Sequence, residues 1–373
     1  MRLMDVTVPR IELCGVALDV VTDHPALARY LEGHFSNLQP AGAAAGDPDV
    51  SVRVRWTEGP RDSVRPETVF PGWQADTMIH RDVHVGPNRV VWLRVDDVAS
   101  LAIASEHGGR TRRFELCFHF SLGSRGWRER LKRAVYRRKV PALRRSRLST
   151  LTYYAVYYPV WWQLESRGAG HPLHAAGVAI GGRALVLAGL PGAGKSTLAT
   201  SLLAVPGAEL LADNVVLHDG RQVYGCFEPL LLDEQARAWL GQRSALRALG
   251  RRHMFARDAY HAPHRTGGLA PGAVVVLARG RETRLTPIDA ETCARTLLAI
   301  NEVAKEVRRY HVLAAILGMI DPEAQAQAHG RAARLERLLA GVPCYVLEAR
   351  EGAPAEAVAL LRDLAVPPRQ AAR

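Results

Sequence analysis

Gly189-Leu190-Pro191-Gly192-Ala193-Gly194-Lys195-Ser196 fills every fixed position of the pattern G-x-x-x-x-G-K-[ST]. Glycines at these places let the backbone fold into a nest of N–H donors, and a helix that follows offers its positive N-terminal end to an anion. In such a loop Lys195 reaches the β- and γ-phosphates of a nucleotide, and Ser196 supplies an oxygen to Mg²⁺. The flanks agree: the apolar run Ala184–Ala188 predicts a buried strand leading in, and Ser196–Leu203, which includes Thr197, predicts a helix leading out. Residues 189–197 are therefore the candidate nucleotide-binding set, with ATP or GTP as ligand and Mg²⁺ beside it.

Upstream of the loop stands His174, in Pro172-Leu173-His174-Ala175-Ala176-Gly177-Val178, and downstream comes Leu210-Leu211-Ala212-Asp213-Asn214. An acid that closes an apolar strand is where a carboxylate commonly meets Mg²⁺ or the attacking group, so Asp213 is a candidate for both roles. Ser196, Asp213 and Asn214 form the candidate metal set, and His174 joins the catalytic candidates. Between these points Gly177–Ile180 and Ala184–Ala188 read as a strand pair turning at Gly181-Gly182, and Glu209–Ala212 as a further strand. A hairpin with an Asp219-Gly220 turn follows over Val215–Leu217 and Gln222–Tyr224. Later patterns predict a helix over Asp233–Leu240, a strand over Ala273–Ala278, helices over Ala290–Leu317 and Ala332–Leu339, a strand over Cys344–Glu348 and a helix over Ala355–Leu364. Strands that alternate with helices indicate an α/β sheet. Gly250–Arg265 carries Arg251, Arg252, Arg257 and Arg265 with His253, His261 and His264, and reads as a flexible loop able to close over a nucleotide. Arg252 and Arg265 are the candidate cations for charge that develops on a transferred phosphoryl group.

Before residue 120 the chain reads differently. Asp49–Trp56, Arg89–Val95, Leu101–Ser105 and Phe114–Phe120 are alternating or β-branched runs set apart by turn residues, which predicts a mostly antiparallel, β-rich module; Asp23–Glu32 reads as a helix. Three parts result: a β-rich domain at 1–123, a basic and aromatic helical connector at 124–169, and a phosphate-loop domain at 170–373.

Leu173-His174-Ala175, a short strand pair, the phosphate loop and Ala212-Asp213 occur in the order found in the catalytic core of the HPr kinase/phosphorylase family, which this chain resembles over roughly residues 170–365. Leu339–Glu348 (LAGVPCYVLE) also looks like the final helix–strand unit of those relatives. The resemblance implies a core related to phosphoenolpyruvate carboxykinases that uses ATP and Mg²⁺ to phosphorylate a seryl hydroxyl. It implies that Lys195 and the loop amides hold the β/γ-phosphates, that Ser196 binds Mg²⁺ and that Asp213 is the general base. Asn214 replaces the second acid of the family's pair, so reverse phosphorolysis is not implied. The first 165 residues do not resemble the family's own N-terminal domain, which leaves the acceptor open: a serine of a peptide or protein is expected, and a small molecule such as a sugar is the alternative. A nucleotide-gated binding protein without transfer is a third reading.

The whole chain of 373 residues is 48% apolar and 23% charged, which excludes wholesale disorder and a disulfide miniprotein. Its formal charge of +12 is local. Eleven basic residues and one acid, Glu129, lie between Arg125 and Arg147, so the remainder is nearly balanced and general coating of nucleic acid is not indicated. Residues 125–147 are a candidate surface for an acidic partner or a membrane, or simply a solvated face, and the aromatic run YYAVYYPVWW suits either a lipid headgroup level or a buried helix. Five cysteines without a C-x-x-C pair, and an N-terminus that meets an acid and a proline before any apolar run, point to a reducing cytoplasm. Homo-oligomerisation is left open.

Overall fold

A computed structural model describes residues 5–38, 46–60, 69–95, 98, 100–108, 111–232, 234, 237, 246–252, 257–265, 267–350 and 354–365; for Arg251, Arg252, Pro354 and Ala365 it describes the backbone alone. The chain divides into two units, Met1–Ser166 with Val312–Ala326, and Arg167–His311 with Gln327–Arg373.

In the first unit one eight-stranded sheet contains β1 (Val6–Leu13), β2 (Val16–Thr22), β3 (Val50–Glu58), β4 (Thr77–His80), β5 (Val83–Val85), β6 (Arg89–Trp92), β7 (Leu101–Glu106) and β8 (Arg112–Phe120), in the order β1-β2-β3-β8-β7-β6-β5-β4. β3 lies parallel to β2 and β8, and the other neighbours pair antiparallel. Alternation explains the covered face: Val50, Val52, Val54 and Trp56 are buried, while Arg53, Arg55 and Thr57 are exposed. β1, β2, β4 and β5 are additions to the expected strands. A register shift between Val8 and Ile11, at Pro9-Arg10, breaks the period that would have revealed β1.

Helix α1 (Pro25–Phe35) starts with proline in its first turn, and the His24 ring accepts the Leu27 N–H at 3.2 Å. After β8 come α2 (Gly126–Val135), α3 (Val140–Thr152), a π turn at Tyr153–Tyr157 and α4 (Tyr158–Ser166). Pro159 has no N–H to offer the preceding turn, and the helix widens just before it. Tyr154, Tyr157, Tyr158, Trp161 and Trp162 are fully buried, and the Tyr157 hydroxyl meets His34 Nε2 at 2.8 Å. The aromatic run is thus core of the first unit, and its reading as a headgroup-level belt is corrected, since every ring of the run but the half-buried Tyr153 is buried. Of the connector set apart in the sequence at 124–169, residues 124–166 fall within this unit.

The second unit is built on a six-stranded mixed sheet. Its strands, with the smaller ones around it, are β9 (His171–Leu173), β10 (Ala175–Ile180), β11 (Arg183–Ala188), β12 (Glu209–Ala212), β13 (Val216–His218), β14 (Val223–Gly225), β15 (Leu230–Leu232), β16 (Arg247–Arg252), β17 (Asp258–His261), β18 (Pro271–Gly280), β19 (Arg284–Ile288) and β20 (Cys344–Arg350). The large sheet has the order β12-β10-β11-β18-β20-β19. Its helices are α5 (Lys195–Leu202), α6 (Ala290–Val303), α7 (Lys305–Leu317), α8 (Pro322–His329), α9 (Arg331–Leu339) and α10 (Pro354–Ala365), of which α7 and α8 are shared with the first unit by the division above. Period-two alternation sends Val178, Leu185 and Leu187 toward α5 and α10, and Ala184, Val186 and Ala188 toward α6 and α9. Strands covered on both faces read as continuous apolar runs, as ALVLA does. The architecture is mixed α/β.

Gly250–Arg265 is not one loop, which corrects the expectation of a flexible closing segment. β16 and β17 join β15 in a three-stranded sheet, with Ala259 and His261 of β17 buried. Alternation in Asp258-Ala259-Tyr260-His261 carries the strand, and the segment's Arg/His composition conceals it. His253, and the helix expected over Asp233–Leu240 apart from residues 234 and 237, lie outside the described residues. Among the described residues no helix is long and apolar enough to cross a membrane.

Candidate active site

Sheet direction alone brings three separated motifs to one edge. β11, β18 and β20 are parallel, and β10 runs antiparallel to both β11 and β12, so β12 points the same way as β11. Gly189 follows the carboxyl end of β11 and Asp213 that of β12, while His174 precedes the start of the reversed strand β10. The carboxyl edge of such a sheet is where ligands of α/β proteins bind.

At this edge Gly192 and Gly194 have φ of 84° and 95°, left-handed values open to glycine, and Gly194 caps α5. The turn directs Lys195 back into the loop, where its Nζ donates to the Gly189 carbonyl at 2.8 Å and the Leu190 carbonyl at 3.3 Å. Burial lowers the Lys195 ammonium to about 8, against the opposing pull of Asp213 and Glu306. Ser196 and Thr197 lie half-buried in the first turn of α5, and the Leu190 side chain stands in solvent. Pro191 and Ala193 complete the loop, and the Ala193 N–H donates to the Leu190 carbonyl at 3.0 Å.

Asp213 is buried. Removal from water raises its carboxyl above the usual range, opposed by a hydrogen bond from Ser196 and by the charges of Lys195 and Arg257. Its Oδ1 has no hydrogen-bond partner. A buried orphan oxygen beside a serine hydroxyl is the hard donor set that Mg²⁺ takes, so the residues present fit that ion. Among the described residues no group of three or more His, Cys, Asp or Glu side chains could hold a metal by itself, and a cation here would depend on Ser196, Asp213 and the phosphates of its nucleotide. Asn214 follows Asp213 and contributes its backbone to the surroundings of His174.

His174 is buried, and its pKa is lowered to about 3 by burial and by Lys195. The ring is thus neutral near pH 7. The Asn214 backbone opposes that lowering, and both ring nitrogens are buried. The backbone of His174 is held more firmly: its N–H donates to Asn301 Oδ1 at 2.8 Å, and Asn301 Nδ2 donates to the Pro172 carbonyl at 3.3 Å.

The structure therefore gathers Lys195, Ser196, Asp213, Asn214 and His174, and adds four residues that the sequence reading did not select. Asn301 on α6 fixes the histidine strand, and Glu306 in the first turn of α7 acts on Lys195. Arg279, near the end of β18, donates to the Gly192 carbonyl at 3.3 Å. Arg257, from the basic segment, is the arginine whose charge reaches Asp213. Arg265 is not brought to this group: its guanidinium pairs with Glu209 at 3.1 Å, at the opposite end of β12 and roughly 13 Å along the strand from Asp213. Arg252 lies in β16 with its side chain outside the described residues. One sequence signal could have found Asn301, a polar residue in the buried stripe of α6 beside Cys293, Leu297 and Ile300.

No model of a known protein family matches the chain, and no curated protein matches it.

Proposed function

We propose that this chain is an ATP- and Mg²⁺-dependent kinase of the HPr-kinase-like type that phosphorylates a hydroxyl, most simply a serine of a peptide or protein. The observation that carries this reading is the buried Asp213 carboxylate, with its unpartnered Oδ1, beside Ser196 and Lys195 at the mouth of the phosphate loop. Mg²⁺ held by Ser196 and Asp213 would neutralise charge on the β- and γ-phosphates. Lys195 and the loop amides hold the same phosphates, and Arg257, whose charge reaches Asp213, or Arg279, which donates to the Gly192 carbonyl, meets charge that spreads over the γ-phosphoryl oxygens. The acceptor oxygen forms its bond to the γ-phosphorus as the bond to the β–γ bridging oxygen breaks. The hydroxyl proton passes to the Asp213 carboxylate, and ADP leaves.

Removal from water disfavours the ionised carboxylate, and a partly raised basicity is what a proton acceptor needs. Asn214 cannot take a proton, which agrees with transfer in one direction. The choice of a peptide acceptor rests on the resemblance of residues 173–213 to serine kinases.

Labelled ATP and Mg²⁺ incubated with serine peptides, and in parallel with small polyols, test the reading. Lys195→Ala is expected to lose nucleotide binding; Asp213→Asn is expected to keep binding and lose transfer by about 100-fold or more. Transfer that survives both substitutions sinks the assignment, and transfer to polyols alone moves the acceptor to the small-molecule class.

A further inference from the structure

Helix α2 turns its one acid inward and its apolar stripe outward. Its one acid, Glu129, is 1% exposed, whereas Trp127, Leu131 and Val135 are 68%, 55% and 68% exposed and Tyr136, next after the helix, is 44% exposed. Glu129 fastens the inner side: Oε1 accepts the Leu122 N–H at 2.5 Å and Arg133 Nε at 3.3 Å, and Oε2 accepts the Ser124 N–H at 3.1 Å. Arg133 also donates to Glu58 and to the Phe120 carbonyl, so both of these charges are committed to the body of the first unit.

The outer side is an unpartnered stripe. Trp127, Leu131 and Val135 recur every four residues and stand one above another, and helical geometry places Arg130 on one flank and Arg128 with Lys132 on the other. The Arg128 guanidinium lies over the Trp127 ring at 5.9 Å. From Arg125 to Lys139 every residue except Glu129 and Arg133 is exposed, so the stripe stands open to solvent. Among the eleven basic residues between Arg125 and Arg147, Arg133 and Arg144 pair with Glu58, and the other nine are exposed with no exposed carboxylate among them.

We propose that α2 docks the protein on an anionic lipid bilayer, with Trp127, Leu131 and Val135 entering at the headgroup level and the flanking cations facing lipid phosphates. Surface helices of this kind combine an apolar stripe, a basic border and an aromatic ring at the interface. A continuous surface suits an exposed stripe with cations on both sides. A nucleic acid or a polyacidic peptide would pair with the cations but leave Leu131 and Val135 in water. This inference is independent of the phosphotransfer reading.

The full chain is mixed with vesicles of phosphatidylcholine alone, or of phosphatidylcholine with phosphatidylglycerol, at about 0.15 M salt, and bound protein is separated by flotation. Binding is expected to the anionic vesicles only, with a blue shift of the emission that Trp127→Phe removes. The double variant Leu131→Glu, Val135→Glu is expected to bind at least about tenfold more weakly. Each of Arg128→Gln, Arg130→Gln and Lys132→Gln is expected to weaken binding about fivefold. These positions are exposed, and an unchanged circular-dichroism melt verifies folding. Absence of vesicle binding overturns the proposal, as does binding indifferent to the Leu131/Val135 variant. Capture by poly-uridylate or polyglutamate that vesicles do not compete away overturns it in favour of a nucleic-acid or acidic-protein partner.

Discussion

Burial assigns opposite tendencies to the ionisable groups around the loop: Asp213 holds its proton to higher pH than an ordinary aspartate, Lys195 gives up its own at about 8, and His174 is neutral down to about 3. Phosphate binding uses the ammonium form of Lys195, whose free-protein pKa is lowered, so nucleotide affinity is flat below that value and falls about tenfold per pH unit above it. Proton acceptance uses ionised Asp213, whose pKa is raised, so transfer rises with pH as that group ionises. A bell-shaped kcat/KM is the expected outcome, with its alkaline limb near 8 displaced upward by Lys195→Arg and no limb contributed by His174 near pH 6.5. Titrating affinity by fluorescence across the alkaline range checks the first limb, and an affinity that stays level to about pH 10 defeats it. The loop and the acid were legible in the sequence because spacing along one strand–turn–helix defines them. Asn301, Glu306 and Arg279 were not, since each reaches the site from an element far along the chain and each belongs to a residue type common on surfaces; Arg257 was visible as one arginine of the basic segment, with nothing in the sequence to favour it over Arg252 or Arg265.

At the scale of elements, strands buried on both faces were legible from unbroken apolar runs, and the β10–β11 and β13–β14 hairpins from their glycine turns. Strands whose residues are charged or interrupted, such as β1, β16, β17 and β19, were hidden, because pairing with neighbours and not composition holds them in place. β14 shows how tightly such pairing closes. A side chain at Gly225, the last residue of β14, would meet the backbone carbonyl of Arg265 and, at 2.6 Å, that of Leu211. Those carbonyls are fixed by the segment that lies beside β12, where the Leu210 carbonyl accepts the Arg265 N–H at 2.8 Å and the Leu210 N–H donates to Pro263 at 2.9 Å. Gly225→Ala is therefore expected to displace backbone next to Asp213 and to destabilise the protein by about 3 kcal/mol. Gly182, in the β10–β11 turn, has φ of 79° but open space around a Cβ, so Gly182→Ala is expected to cost only about 1 kcal/mol of backbone strain. Urea denaturation compares the two; equal destabilisation would refute the role given to the Gly225 approach.

Across the whole molecule the excess charge was located by arithmetic, whereas nothing in motif spacing shows that the first unit is completed by a segment far from it in sequence. Val312–Ala326 belongs with Met1–Ser166 and interrupts the unit that holds the phosphate loop. Its side chains explain the return. Leu313, Ala314, Ile316, Leu317 and Ala324 are buried, and the buried Asp321 carboxylate accepts Arg112 Nη2 at 2.6 Å while capping α8 through the Ala324 N–H at 3.0 Å. A cut at residue 170, which motif spacing recommends, removes Arg112 and leaves a charged carboxylate and a row of apolar side chains without the unit to which they belong. The fragment 170–373 is accordingly expected to bind an apolar dye and to melt without a sharp transition, even though it retains Lys195, Ser196 and Asp213. The full chain carrying Asp321→Asn keeps the apolar contacts and loses only the ion pair, so it is expected to melt sharply at a lower temperature. A fragment as cooperative as the full chain would show that the phosphate-loop unit is complete from residue 170 onward and that the return of Val312–Ala326 is dispensable.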